Sequence, residues 1–156
     1  MPDKRSHRGA HPKDTQLFSA EKLPELREAA KDYCLLLSRG YAEKSSLKLV
    51  GDRYQLTQRQ RLAVMRASCS DNQLKKRKAS QVTFEQICSR RVVIDGYNLL
   101  ITIETALSGG VILKCRDGCC RDLAGIHGTY RKVAETVPAL KITADILKES
   151  GAQQAL

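Results

Sequence analysis

Four acidic residues in the second half of the chain have types and spacing that could hold a hard cation. Asp95 ends the run Arg91-Val92-Val93-Ile94-Asp95-Gly96-Tyr97-Asn98. The β-branched stretch has the composition of a buried strand, so Asp95 falls at a strand's carboxyl end, where open α/β sheets place their ligands. A carboxylate has no packing reason to sit there. It has one if it holds magnesium or manganese. Glu104 lies on a helical face with Leu100, Ile101 and Leu107, where a glutamate is costly unless paired or coordinated. Asp117 follows a second apolar run, and Asp122 comes in a repeat of the same pair, Arg116-Asp117 and Arg121-Asp122. If the two runs are parallel neighbours, Asp95 and Asp117 meet at one sheet edge. Two carboxylates about 4 Å apart repel by roughly 4 kcal/mol at an effective dielectric of 20, and a proton or divalent cation must offset this. The structural alternative stays open for each residue. Asp117 and Asp122 can pair with Arg neighbours, Glu104 with an Arg of the basic unit, and Asn98 can cap a helix or hold Asp95 or a metal-bound water.

The elements that must position these groups alternate. A strand over 92–95 is followed by a helix over 98–107, stopped by Ser108-Gly109-Gly110, and by a strand over 111–114 with a turn at Arg116-Asp117-Gly118. A later helix opens near Thr136 with Pro138 in its first turn, packs Ala139, Ile142, Ile146 and Leu147 inward, and ends at Gly151. This order predicts a parallel sheet, with residues 152–156 leading into a third strand. Two parallel strands cannot close a core, so the unit reads as incomplete and the chain as a fragment.

The first half reads as helical. Residues 1–14 are expected to be a mobile basic tail. A helix over 22–38 carries Leu23, Leu26, Ala30, Tyr33 and Leu37 at helical spacing, with Pro24 in its first turn and Gly40 after its end. A short helical turn over 46–50 is ended by Gly51. Thr57-x-x-Gln60 is a capping box that opens a helix to about Cys69, its inner face Leu62, Met65 and Cys69 and its surface carrying Arg59, Arg61 and Arg66. Residues 70–81 form a polar linker containing Lys75-Lys76-Arg77-Lys78. The expected organisation is α+β overall: an all-α basic helical domain over 15–90, then an α/β domain with a parallel sheet over 91–156.

Charge follows the same division. The chain has 156 residues with 27 Lys and Arg against 17 Asp and Glu; residues 1–91 hold 20 against 10, and residues 92–156 hold 7 of each. A basic unit suits a polyanionic partner, most often nucleic acid. Arg59, Arg61, Arg66, Lys75, Lys76, Arg77 and Lys78 are the candidate contacts, the alternative being a merely solvated face. Seven aromatics, none of them Trp, do not favour a base-stacking platform. No apolar run approaches the ~18 residues of a membrane span, and the start MPDKRSHRGAHPKD has no apolar signal core. Both points favour a cytoplasmic protein with no membrane partner. Cys34, Cys69 and Cys88 read as small buried residues, while Cys115-x3-Cys119-Cys120 with His127 lacks the usual C-x2-C zinc spacing. Neither G-x-G-x-x-G nor a P-loop occurs. Tyr97 stands where an aspartyl-phosphate phosphatase carries its second Asp.

The segments VVIDGYNLLITIETAL and CRDGCCRDLAGIHGTYRKV resemble an uncharacterised prokaryotic family of paired domains of unknown function, whose second domain is similar to the PIN/NYN-like nuclease fold. RGAHPKD and LLLSRGYAEKSSLKLVGDRYQLTQRQRLAVMR resemble that family's basic helical domain. The resemblance implies a PIN-like, metal-dependent ribonuclease using Mg2+ or Mn2+, with RNA favoured over DNA. Asp95 matches the first-strand acidic ligand and Asn98 the polar residue behind it. Glu104 and Asp117 are further catalytic and metal positions, and Asp122 an additional ligand. The cation would lower the pKa of a bound water and stabilise charge on the phosphate. That family's remaining strands, with further acidic residues, come after position 156. The competing reading is a non-catalytic nucleic-acid-binding or scaffold protein whose acidic site is degenerate.

Overall fold

A computed structural model describes residues 7–124 and 130–156. In chain order the elements are α1 (Asp14–Leu17), α2 (Leu23–Ser38), α3 (Glu43–Arg53), α4 (Gln58–Ala67), α5 (Asp71–Ala79) and β1 (Arg91–Val92). They continue with α6 (Gly96–Leu107), β2 (Ile112–Lys114), β3 (Cys120–Asp122), α7 (Thr136–Glu149) and β4 (Gln154–Ala155). The chain is α+β, dominated by helix. It forms two compact units, His11–Ser80 with Ile112–Leu123, and Met1–Ala10 with Gln81–Val111 and Ala124–Leu156.

The first unit is built on α2. Leu26, Ala29 and Tyr33 recur on one face at helical spacing and bury against Val50, Leu56 and Val64. Pro24 lies in the first turn, where its missing N–H costs nothing, and Gly40 takes φ +84° just past the end. The helix α3 is longer than the expected turn at 46–50 and runs through Gly51, which is buried. Gly51 does not stop the helix: a Cβ there would collide with the Arg61 guanidinium, so the glycine makes room for that side chain. The Thr57–Gln60 capping box opens α4, but the buried face is Gln60, Ala63 and Val64, with Met65 exposed. The expected face of Leu62, Met65 and Cys69 is therefore rotated. Val64 belongs to the core with Leu26 and Tyr33, and the Gln60 side-chain amide donates to the Leu17 carbonyl at 2.9 Å.

Two further expectations are corrected in this unit. The polar linker at 70–81 is largely the helix α5, opened by a second capping box, Ser70 with Gln73. The strand expected over 111–114 does not pair with the first strand. It pairs antiparallel with β3, Ile112 opposite Asp122 and Lys114 opposite Cys120. The physical reason is loop length: only residues 115–119 separate β2 from β3, and a parallel crossover needs about a dozen. Gly118 takes φ +87° in this turn, and the Asp117 carboxylate accepts from the Cys119 amide at 3.1 Å. The helical unit is thus not all-α, because it includes a hairpin from the second half of the sequence.

In the other unit β1 and β4 form a two-stranded parallel sheet, Arg91 opposite Gln154 and Val92 opposite Ala155. The residues read as a lead into a third strand supply the partner strand itself. The strand β1 covers less than the expected 92–95, and α6 begins at Gly96 with Asp95, not Asn98, as N-cap. The expected inward face of α7 is mostly solvent-facing: Ala139 is buried, while Ile142 and Ile146 are exposed. Within the expected tail, Arg8 is buried in this unit. Residues 1–6 of the expected tail lie outside the described residues.

Candidate functional site

Asp95 sits just after β1 at its carboxyl end and is exposed. Its carboxylate accepts from the Asn98 side-chain amide at 2.6 Å and, more weakly, from the Asn98 backbone N–H at 3.4 Å. That is N-cap geometry, satisfying one of the orphan donors of α6. Of the roles open to Asn98, it holds Asp95 and does not itself cap the helix. The neighbouring Tyr97 is exposed, and its ring centroid lies 5.0 Å from that of Tyr130.

Glu104 is fully buried in the same unit. One carboxylate oxygen accepts from Arg8 Nε at 2.8 Å; the other accepts from the Thr136 hydroxyl at 2.6 Å and the Tyr130 hydroxyl at 2.5 Å. Arg8 also lies over the Tyr130 ring, its Cζ 5.0 Å from the centroid, and donates to the Arg131 carbonyl. Burial raises the Tyr130 pKa, and the hydrogen bond to Glu104 raises it further. The arrangement is an internal ion pair with both carboxylate oxygens engaged. The structural alternative, pairing with an Arg, holds, but the Arg is not one of the basic helical domain: Arg8 comes from the amino-terminal segment and shares the compact unit of Glu104.

Asp117 and Asp122 belong to the hairpin of the helical unit. Asp117 is buried and accepts from Arg121 through both oxygens, at 2.9 and 2.7 Å, and from Arg77 at 2.8 Å. The Arg121 guanidinium holds this carboxyl far below the usual range, outweighing burial, with the Cys119 amide and Arg77 assisting. Asp122 faces Arg66 Nη1 at 3.5 Å, and the same nitrogen donates to the Asp122 carbonyl at 2.7 Å.

The expected ligands are therefore divided between the units, Asp95 and Glu104 in one, Asp117 and Asp122 in the other. Among the described residues no three His, Cys, Asp or Glu side chains converge to hold a metal ion. The donor chemistry does not fit Mg2+ or Mn2+ either, since Glu104 and Asp117 are committed to arginine and hydroxyl donors. The zinc alternative at Cys115, Cys119 and Cys120 involves His127, which lies outside the described residues.

The basic candidates separate into two groups. Arg59 grips the Asp14 carboxylate and donates to the Leu123 carbonyl at 3.1 Å. Arg61 bonds Asp52 at 2.8 Å and the Leu56 carbonyl at 2.9 Å. Arg66 and Arg77 hold the hairpin as described. These arginines fasten the unit together. Lys75, Lys76 and Lys78, in contrast, are exposed on α5, a helix with no buried residue, and form no ion pair with a described residue. They occupy its C-terminal part, the negative end of the helix dipole, which favours cations there. Sequence reasoning missed Arg8, Tyr130 and Thr136. No local signal marks Arg8, whose partner is 96 positions away.

Residues 25–79 match a protein of unknown function, DUF434, and residues 84–156 a domain of unknown function, DUF5616. An uncharacterised protein of Methanocaldococcus jannaschii is 29% identical over 123 residues, covering 79% of this chain and 59% of that protein. The chain thus spans about 59% of the length of the curated relative it matches. No solved structure matches the chain. These likenesses support an uncharacterised family of domains of unknown function. No helix among the described residues is long and apolar enough to cross a membrane.

Proposed function

We propose that this chain binds a polyanion, RNA before DNA, without cutting it, using the exposed lysines of α5. The observation that carries the reading is the contrast among the basic candidates: Arg59, Arg61, Arg66 and Arg77 are spent on internal partners while Lys75, Lys76 and Lys78 stand free in solvent. The unit holds 18 Lys and Arg against 10 Asp and Glu, so its field attracts anions. The resemblance of the second half to PIN/NYN-like domains makes RNA the first polyanion to try. The ribonuclease reading is not favoured, because Glu104 and Asp117 serve as structural counter-ions to Arg8 and Arg121.

The test is fluorescence anisotropy with a labelled single-stranded RNA across a salt series. Replacing Lys75, Lys76 and Lys78 together by Gln should weaken binding at least tenfold at low salt. It should also flatten the slope of log K against log salt by roughly 2, about 0.7 for each phosphate no longer neutralised. An unchanged slope refutes the assignment. Incubation with Mn2+ should leave the RNA intact; cleavage abolished by Asp95→Asn would restore the nuclease.

A further inference from the structure

The helical unit contains a cleft of about 750 Å3 between α2, α4 and β2. Its volume falls within the roughly 300–1,000 Å3 range of small-molecule sites. The floor is made of small side chains: Ala30 on α2, Ala63 and Ala67 on α4, and Ser68 just after α4. Larger residues there would fill the space, so the cavity is written into the sequence at these positions. Leu35 from α2, exposed to 50%, and Leu113 from β2 give apolar walls. The hairpin, held by Arg66 and Arg77, closes one side.

The rim is cationic. Arg27 and Lys31 line it from α2, and Lys114 and Arg116 from the hairpin side. Lys31 pairs with Glu28 at 2.6 Å and Arg116 with Asp71 at 2.5 Å. Asp71, the one carboxylate in the lining, is thereby neutralised. Arg27 and Lys114 make no ion pair with a described residue, and they stand on different elements of the cleft.

An apolar body and a single anionic head are what this lining complements. We infer that the cleft binds a single-chain amphipathic anion of the fatty-acid type, its chain over Ala30, Ala63 and Ala67 and its carboxylate at Arg27 and Lys114. A peptide helix is the poorer fit. Three turns of helix about 10 Å across occupy roughly 1,300 Å3, well beyond the cleft, whereas an extended alkyl chain can be enclosed. The α5 lysines line no part of it, so this site stands apart from the polyanion surface.

The experiment is calorimetric titration of the 156-residue chain with dodecanoate below its micellar range, beside dodecyltrimethylammonium and dodecanol. Dodecanoate should bind with one-to-one stoichiometry, at least tenfold more tightly than the cationic surfactant. Arg27→Glu with Lys114→Glu should cost at least tenfold in dodecanoate affinity while leaving dodecanol binding within about twofold. Ala67→Leu, which fills the floor, should weaken dodecanoate and dodecanol alike. Should Ala67→Leu fail to fold, the exposed rim pair decides alone. Equal binding of the two charged surfactants, an unaffected rim variant, or no saturable binding overturns the inference. A dimer in sedimentation that Ala67→Leu dissociates would also overturn it, by giving the cleft to a second copy of the chain.

Discussion

Glu104 accepts a hydrogen bond from Arg8 Nε at 2.8 Å, joining two side chains 96 positions apart, both almost completely shielded from solvent. Removing one partner of such a pair strands the other charge in a low-dielectric interior. Arg8→Leu should therefore destabilise the protein by about 3–5 kcal/mol, read as a lower urea midpoint. Pairing it with Glu104→Leu should recover part of that loss, since the stranded carboxylate is gone. An Arg8→Leu midpoint equal to the parent's would show that the pair is not formed in solution.

Asp117 should make stability fall in acid. Arg121 holds its folded-state pKa well below the unfolded value of about 3.9. The folded state binds that proton less readily, so the stabilisation is complete above about pH 4 and is lost as pH falls further. Asp117→Asn should cost about 2 kcal/mol at neutral pH, the scale of hydrogen bonds to charged groups. The gap between parent and variant should narrow on titration towards about pH 2. A gap constant with pH would mean that packing, and not charge, is what the substitution removes.

Asp95 is a helix cap, and its replacement should behave like the loss of one. Asp95→Ala should cost about 1 kcal/mol and speed amide exchange in the first turn of α6. RNA affinity should stay within about twofold of the parent's. A drop in affinity as large as that from the triple lysine variant would move the polyanion site to the other unit.

Ser70 caps the helix that carries the free lysines. Ser70→Ala should cost about 1 kcal/mol, fray α5 and weaken RNA binding by less than the triple lysine variant does. Amide exchange across α5 that matches the parent's would show that the Ser70–Gln73 box does not hold this helix.

Legibility in the sequence tracks range. Thr57-x-x-Gln60 announces α4, Pro24 and Gly40 bracket α2, and Asp117-Gly118 marks the hairpin turn, because each is decided within a few residues. Ser70-x-x-Gln73 carries the same signal as Thr57-x-x-Gln60, yet four consecutive basic residues make α5 read as a linker. The buried face of α4 is less legible, since Gln60 is drawn inward by the Leu17 carbonyl and Met65 left outside. Helical spacing alone assigns those positions by hydropathy.

What the sequence determines by itself is local: most of the helices, the Thr57–Gln60 capping box, the acidic residue after a β-branched run, and the basic first half. The parallel partner of that run is not local: spacing assigns it to 111–114, whereas the fold takes it from Gln154–Ala155. What only the tertiary structure decides is which charges meet. Arg8 could not be matched to Glu104, nor Arg77 to Asp117, from spacing, because a side-chain pair distant in sequence leaves no periodic trace. The same carboxylates that line up as a metal site along the sequence become counter-ions once the hairpin joins the helical unit and the amino-terminal segment joins the other. Burial is the physical reason: a charge taken out of water must find its partner wherever the fold brings one.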